Sequence, residues 1–160
     1  MRDIMNLAKD LINTVRESPK RMDIFKTILA VMPKKTGRIG LRPLCPTRWT
    51  MRASSMKQIL NNYASLSEFF LSFSESGSCD AASKCSGYFE QMSKFKTLFL
   101  ISLYSFVMSP IEEVNTQLQS PHITAPEVFS KLDCLRDVLQ QKREEFETFW
   151  QNVVHDKPRM

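Results

Sequence analysis

Apolar residues recur every three or four positions along most of this chain, which is the spacing of amphipathic helices. The first such stretch runs from Arg2 to Glu17, and its apolar face holds Ile4, Leu7, Ala8, Leu11, Ile12 and Val15. Ser18 and Pro19 then predict the cap and first residue of a second helix, because the missing proline N–H would have no helical partner there. This second helix should end near Val31. Its predicted inward positions are Met22, Phe25, Ile28 and Leu29.

The same spacing predicts three longer elements further on. One starts at Thr47, a potential cap, and should reach about Ser72. The next resumes near Ala81 and runs to about Gln119, with Pro110 expected to kink or end it. The last should span Pro126 to Val154, with inward positions at Val128, Leu132, Leu135, Val138 and Leu139. We therefore predict an all-α protein, a multi-helix bundle of five or six helices.

The main irregular segment lies between Pro33 and Thr47 and contains prolines and glycines without sustained periodicity. Ile39 and Leu41 either form a short strand there or pin the segment to the core. A second turn is predicted from Ser120 to Pro126.

Charge is distributed unevenly along the chain, whose net charge is +5. The span from Ile24 to Ser67 carries eight basic residues and no acid, so the remaining residues sum to −3. A region of one sign concentrates anions and favours contact with phosphate. The alternative is a solvated loop rich in lysine and arginine. The eight basic residues are Lys26, Lys34, Lys35, Arg38, Arg42, Arg48, Arg52 and Lys57.

Arg48 and Trp49 stand at the centre of this cationic span. An indole beside guanidinium groups can stack on an unpaired base while the cations neutralise its phosphate. Arg42 and Arg52 would reinforce the electrostatic part. The alternative interpretation makes Trp49 a core anchor at the start of a helix.

The remaining residues show no catalytic constellation. The four cysteines lack the spacing of a zinc knuckle, and only His122 and His155 could complete a site, so we predict reduced thiols, no metal and no cofactor. The paired acids Glu112 and Glu113 are interpreted as a solvated helix face. The longest apolar run, Leu98 to Met108, is shorter than the roughly 20 residues needed to cross a bilayer. It predicts a buried helix and no membrane span.

The segment from Cys45 to Tyr63, CPTRWTMRASSMKQILNNY, resembles the C-P-T-R-W segment of hAT-superfamily transposases. More narrowly, it resembles transposon-derived vertebrate proteins of the MYM-type zinc-finger-1-like group. Similarity to that group extends to SPKRMDIF upstream, and to YFEQMSKFKTLFLISL and LRDVLQQKREEFETFW downstream.

This resemblance implies an RNase H-like core interrupted by a large helical insertion, with the Arg-Trp segment near the start of the insertion. It places Arg48 and Trp49 against a flipped base at a DNA end. Residues 1–40 would then be a helix pair flanking the core, residues 41–155 the helical insertion domain, and residues 156–160 a frayed tail. The three catalytic acids of the family have no counterpart at a strand end here. By this resemblance we expect the chain to be a fragment, or a short gene product, of the helical insertion with a remnant of the flanking core, and we predict no enzyme activity.

Two hypotheses follow from the sequence. In the first, the chain is a non-catalytic, transposase-derived module of the nucleus that binds DNA through Arg42, Arg48, Trp49 and Arg52, with Lys34, Lys35 and Arg38 adding phosphate contacts. In the second, it is a structural or protein-interaction helical module without nucleic-acid binding. Self-association or a protein partner would then use the apolar stretches Phe95–Met108 and Phe146–Trp150.

Overall fold

The computed structural model describes residues 2–31, 41, 52–75 and 80–155, and within these ranges every regular element is a helix. The predicted all-α class is therefore confirmed, and the described ranges hold eight helices rather than five or six. They are α1 (Arg2–Arg16), α2 (Pro19–Val31), α3 (Arg52–Asn61), α4 (Tyr63–Glu75), α5 (Asp80–Ser93), α6 (Phe95–Leu118), α7 (Ala125–Glu144) and α8 (Phe146–His155).

The extra helices arise because each predicted long element is divided at a single residue. The helix predicted to reach Ser72 is interrupted at Asn62, whose Nδ2 donates to the Gln58 carbonyl at 2.8 Å. The backbone N–H of Asn62 also donates to this carbonyl, at 3.1 Å. The second long element is divided at Lys94, which is extended at φ −77° and ψ 126°. The third is divided at Glu145.

Pro110 neither ends nor divides its helix, contrary to one of the two predicted outcomes. Helix α6 continues through it from Phe95 to Leu118. The carbonyl of Ser105 lies four residues before Ser109, and Ser109 Oγ donates to it at 2.6 Å. The carbonyl that loses its helical N–H donor at Pro110 is the one four residues earlier, that of Phe106.

The core lies mainly between α1, α2, α3, α4 and the first half of α6. Phe69 of α4 is fully buried and meets Phe25 of α2 edge-on, with the ring centroids 6.0 Å apart. Phe70 is also fully buried and meets Tyr88 of α5 at 5.5 Å. Aromatic packing thus joins the helix pair at the N-terminus to the middle of the chain.

Helix α7 packs on α6 without burying any of its own residues. Leu132 and Leu135 do face α6, as the periodicity predicts, and line a groove of about 380 Å³ with Ile111 and Val114. Leu132 nevertheless remains 45% exposed, and Phe129 beside it is 68% exposed. The predicted face of α7 therefore does turn toward α6, but its residues are not buried as the prediction implies.

Helix α6 is the one helix in the described ranges that is long and apolar enough to cross a bilayer, with a mean hydropathy of 1.3 in its most apolar window. Core helices of soluble proteins also meet this criterion, and α6 packs against α3, α5, α7 and α8. A single helix of this modest hydropathy does not identify a membrane protein.

Candidate functional site

The structure describes one of the seven residues predicted to contact nucleic acid. Arg52 is the first residue of α3 and is half-buried. The other six lie outside the described residues: Lys34, Lys35, Arg38, Arg42, Arg48 and Trp49. What the structure does give is the position of the residues on either side of the segment 42–51.

On the N-terminal side of the segment, Leu41 belongs to the hydrophobic core and is only 4% exposed. Its carbonyl accepts a hydrogen bond of 2.7 Å from Arg16 Nη1, in the last turn of α1. The prediction that Leu41 pins the irregular segment to the core is thus confirmed, whereas Ile39 lies outside the described residues. Arg16 also adds a cation beside this attachment point.

On the C-terminal side, the first turn of α3 is held by a carboxylate from α6. Glu112 Oε1 accepts a hydrogen bond from the Ala53 N–H at 2.5 Å, and Glu112 Oε2 accepts one from the Ser54 N–H at 3.1 Å. The first N–H groups of a helix have no partner within the helix and carry partial positive charge. Glu112 therefore acts as the N-terminal cap of α3, although 59 residues separate it from Ala53 in sequence.

Burial and hydrogen bonding act in opposite directions on this carboxylate. Desolvation raises the pKa of Glu112 and outweighs the lowering by hydrogen bonds from the backbone of Ala53, Ser54 and Arg52. Tyr104 is next to this site, and burial raises its phenol pKa; Arg52 lowers that pKa and Glu112 raises it. Arg52 and Glu112 thus both lie within electrostatic reach of the Tyr104 hydroxyl.

Two acids that lie outside the cationic span in sequence are close to it in the folded chain. Asp23 Oδ1 lies 3.3 Å from Lys26 Nζ in an exposed ion pair, and Glu112 reaches the first turn of α3. Among the described cations of the span, Lys57 has no ion pair and is exposed. The charge of +8 counted along the sequence is therefore partly offset in three dimensions.

Glu112 is the functional residue that sequence reasoning missed, because Glu112 and Glu113 look alike as adjacent helix-face acids. The solvated-face interpretation is correct for Glu113, which is exposed, and wrong for Glu112, which is half-buried and bonded to α3. No local pattern distinguishes the two, since only the packing of α3 on α6 selects which acid points inward.

The two apolar stretches predicted to seek partners pack against each other. Trp150 of α8 meets Phe99 and Phe95 of α6 edge-on, at centroid distances of 5.2 and 5.7 Å. Phe149 stacks on Phe106 at 4.5 Å. Contacts within the chain thus cover part of both stretches, and the more exposed apolar surface is on α7.

In the part of the chain that the structure describes, no three His, Cys, Asp or Glu residues come close enough together to hold a metal ion. The cysteines described there are Cys85, which is buried, and Cys134, which is exposed; both are free thiols.

Comparison of the chain with protein-family models, with curated proteins and with solved structures finds no match.

Proposed function

We propose that this chain is a non-catalytic helical module, derived from an hAT-type transposase, that binds DNA through its basic Arg-Trp segment. Arg42, Arg48 and Arg52 contact phosphates in this proposal, and Trp49 stacks on an unpaired base. Lys34, Lys35 and Arg38 add further phosphate contacts. Such a role places the protein in the nucleus.

The observation that carries the proposal is the attachment of the segment 42–51 to the fold on both sides. Leu41 is fixed by the core and by Arg16, and the first turn of α3 is fixed by Glu112. Fixing the residues that flank a binding segment reduces the conformational entropy lost on binding, which favours affinity. The span around it carries eight basic residues and no acid.

Stacking by Trp49 predicts a preference for unpaired bases. The variant Trp49→Ala should weaken binding to a DNA hairpin by roughly tenfold or more, since stacking on an aromatic side chain contributes about 1–3 kcal/mol per base. Binding to a blunt duplex should change less, because its bases are already stacked. Both affinities are measured by fluorescence anisotropy of labelled DNA.

Trp49→Phe is the matched control, because it retains a stacking ring and should restore most of the hairpin affinity. A Trp150→Phe background leaves Trp49 as the sole tryptophan and keeps a ring against Phe95 and Phe99. Quenching of the Trp49 emission by the hairpin would report the contact directly. Equal loss on hairpin and duplex, or no loss on either, would reject stacking.

Phosphate contacts predict a separate signature in salt. Replacing Lys34, Lys35 and Arg38 together by glutamine should lower the slope of log affinity against log salt by about two for single-stranded DNA, if all three contact phosphates. The preference for hairpin over duplex should remain. An unchanged slope would remove these three residues from the interface.

A protein-interaction module is the second candidate function, and exposure on α7 is the observation that favours it. Phe129 and Leu132 are three residues apart and hence on one face, beside the groove between α6 and α7. If this face mediates self-association, Phe129→Ser together with Leu132→Ser should lower the sedimentation coefficient at high protein concentration. Val31→Ser is the control, because Val31 is 83% exposed at the end of α2. A wild type that stays monomeric and binds DNA would favour the first candidate.

A further inference from the structure

The groove between α6 and α7 is open to solvent and mostly apolar. Its described lining comes from α6, between Met108 and Leu118, and from the single turn of α7 that carries Leu132 and Leu135. Six of these eight lining residues are apolar, and the volume is about 380 Å³. Pockets that bind small organic molecules range from roughly 300 to 1,000 Å³, so the groove has the size for a ligand at the lower end of that range.

Glu112 is the one charged residue among the described residues that line this groove. Its half-buried carboxylate already accepts hydrogen bonds from the backbone N–H groups of Arg52, Ala53 and Ser54. An ionised carboxylate offers about four acceptor positions, so roughly one remains for a group bound in the groove.

The surroundings of this carboxylate favour an added cation. Burial raises the pKa of Glu112 despite the three backbone hydrogen bonds, so the charged form is not fully compensated by what the chain places around it. Asn115 also lines the groove, three residues along the same face of α6. Its amide oxygen can accept a second hydrogen bond from an ammonium group that binds Glu112.

The position of Glu112 makes other occupants of the groove unfavourable. A DNA phosphate would be repelled by the carboxylate. A second copy related by a two-fold axis through the groove would bring Glu112 close to its own counterpart, and two like charges with little solvent repel. A partner helix uses anchors spread over several turns, whereas α7 supplies one turn, which is about 5 Å long.

From the apolar lining and its single carboxylate we propose that the groove between α6 and α7 binds a small organic amine. The ammonium group of the amine donates to Glu112 and Asn115, and its apolar body lies against Leu132 and Leu135. Leu132 is 45% exposed, so this contact removes apolar surface from water. The site adds to the proposed DNA binding and does not depend on it.

Tryptamine and tryptophol test the charge requirement, because they share one ring and chain and differ in an ammonium against a hydroxyl group. Tryptamine should bind the wild type about tenfold more tightly, since a hydrogen bond between charged groups contributes more than one to a neutral donor. Ethylamine, which lacks the ring, and indolepropionate, which reverses the charge, should bind more weakly than tryptamine. All four affinities are measured by amide NMR of isotope-labelled protein.

The NMR signals that shift locate the bound amine. The amide signals of Leu132 and Leu135 should shift together with those of Ala53 and Ser54, because Glu112 lies in the groove and also accepts from the first turn of α3. Ethylamine at the same concentration shows how much of the shift at Ala53 and Ser54 comes from the charge alone.

Matched variants separate the groove from general charge and hydrophobicity. Glu112→Gln should weaken tryptamine binding about tenfold, to the level of tryptophol, whereas Glu113→Gln removes an exposed charge and should leave it unchanged. Val114→Trp fills the groove and should abolish binding. Val107→Trp places the same ring at an exposed position of α6 outside the described lining and should retain it. Circular dichroism checks that each variant is folded, and the comparison of ligands on the wild type remains decisive if Glu112→Gln is not.

Three results would overturn the proposal: no tryptamine binding at millimolar concentration, equal affinities for tryptamine and tryptophol, or binding that survives in a folded Val114→Trp variant. If absence of binding is accompanied by groove signals that broaden as the protein concentration rises, the groove belongs to a second copy of the chain. Failure of Trp49→Ala to weaken hairpin binding would reject the stacking role of Trp49 and leave the amine site standing.

Discussion

Helices α4 and α7 both carry apolar residues at helical spacing, but they differ in how many of these residues are buried. Thirteen residues of α4 include five that are buried, whereas none of the twenty residues of α7 is buried. Among the described helices, α4 packs against α2, α3 and α5, while α7 packs mainly on α6 and α8. An amphipathic pattern therefore predicts which face of a helix turns inward. The number of neighbouring helices decides how much of that face is buried.

Paired truncations on the two helices give the largest expected difference. Phe69→Ala should lower the free energy of unfolding by about 3–5 kcal/mol, because it leaves a cavity among three other phenylalanine rings. Leu132→Ala on α7 should cost less than about 1 kcal/mol, since that side chain already meets solvent. Urea denaturation followed by circular dichroism measures both. Equal losses would show that α7 is as well packed as α4.

The next effect concerns the two adjacent acids on α6. Glu112→Ala should lower the free energy of unfolding by about 2 kcal/mol, because it leaves the N–H groups of Ala53 and Ser54 without their acceptor. Glu113→Ala removes the same charge from an exposed position and should cost below about 0.5 kcal/mol. Both are measured by urea denaturation. A similar cost for the two would contradict the capping of α3 by Glu112.

A smaller effect of opposite sign is expected at Gly87. Gly87→Ala should raise the free energy of unfolding by about 1 kcal/mol, because alanine favours the helix and its Cβ meets no other atom. Thermal unfolding measures the gain. A loss of stability would mean that α5 needs glycine at this position for packing.

The two carboxylates that act at helix N-termini should respond to pH in opposite directions. Burial raises the pKa of Glu112 above 4.5, so the pH-dependent part of its contribution is complete below 4.5 and is lost as pH rises through the folded-state pKa. The cost of leaving the Ala53 and Ser54 N–H groups without an acceptor is separate from this part. Hydrogen bonds from the backbone and hydroxyl of Thr124 lower the pKa of Glu127, so its contribution is present above 4.5 and is lost as pH falls through the folded-state pKa.

Urea denaturation from about pH 3 to about pH 7 checks these signs against Glu112→Gln and Glu127→Gln. With rising pH, the stability of the wild type should fall relative to that of Glu112→Gln. It should rise relative to that of Glu127→Gln. Two slopes of the same sign would mean that one of these environments has been assigned wrongly.

Several features of the fold could be predicted from local sequence because their causes are local. The all-α class, the start of α2 at Pro19 and the inward face of α1 follow from periodicity and capping. The break at Asn62 was not predicted, because the apolar spacing continues through this residue from Ile59 to Tyr63. Of the predicted DNA-binding residues, the structure describes Arg52 alone, so their joint role stays a prediction.

By itself, the sequence determined which stretches are helical, where the cationic residues concentrate and which indole stands among them, since composition and short-range periodicity set these properties. Only the tertiary structure decided that Glu112, and not Glu113, caps α3, and that Trp150 of α8 packs on Phe95 and Phe99 of α6. Both depend on contacts between residues far apart along the chain, and no local pattern encodes which of two similar side chains the packing turns inward.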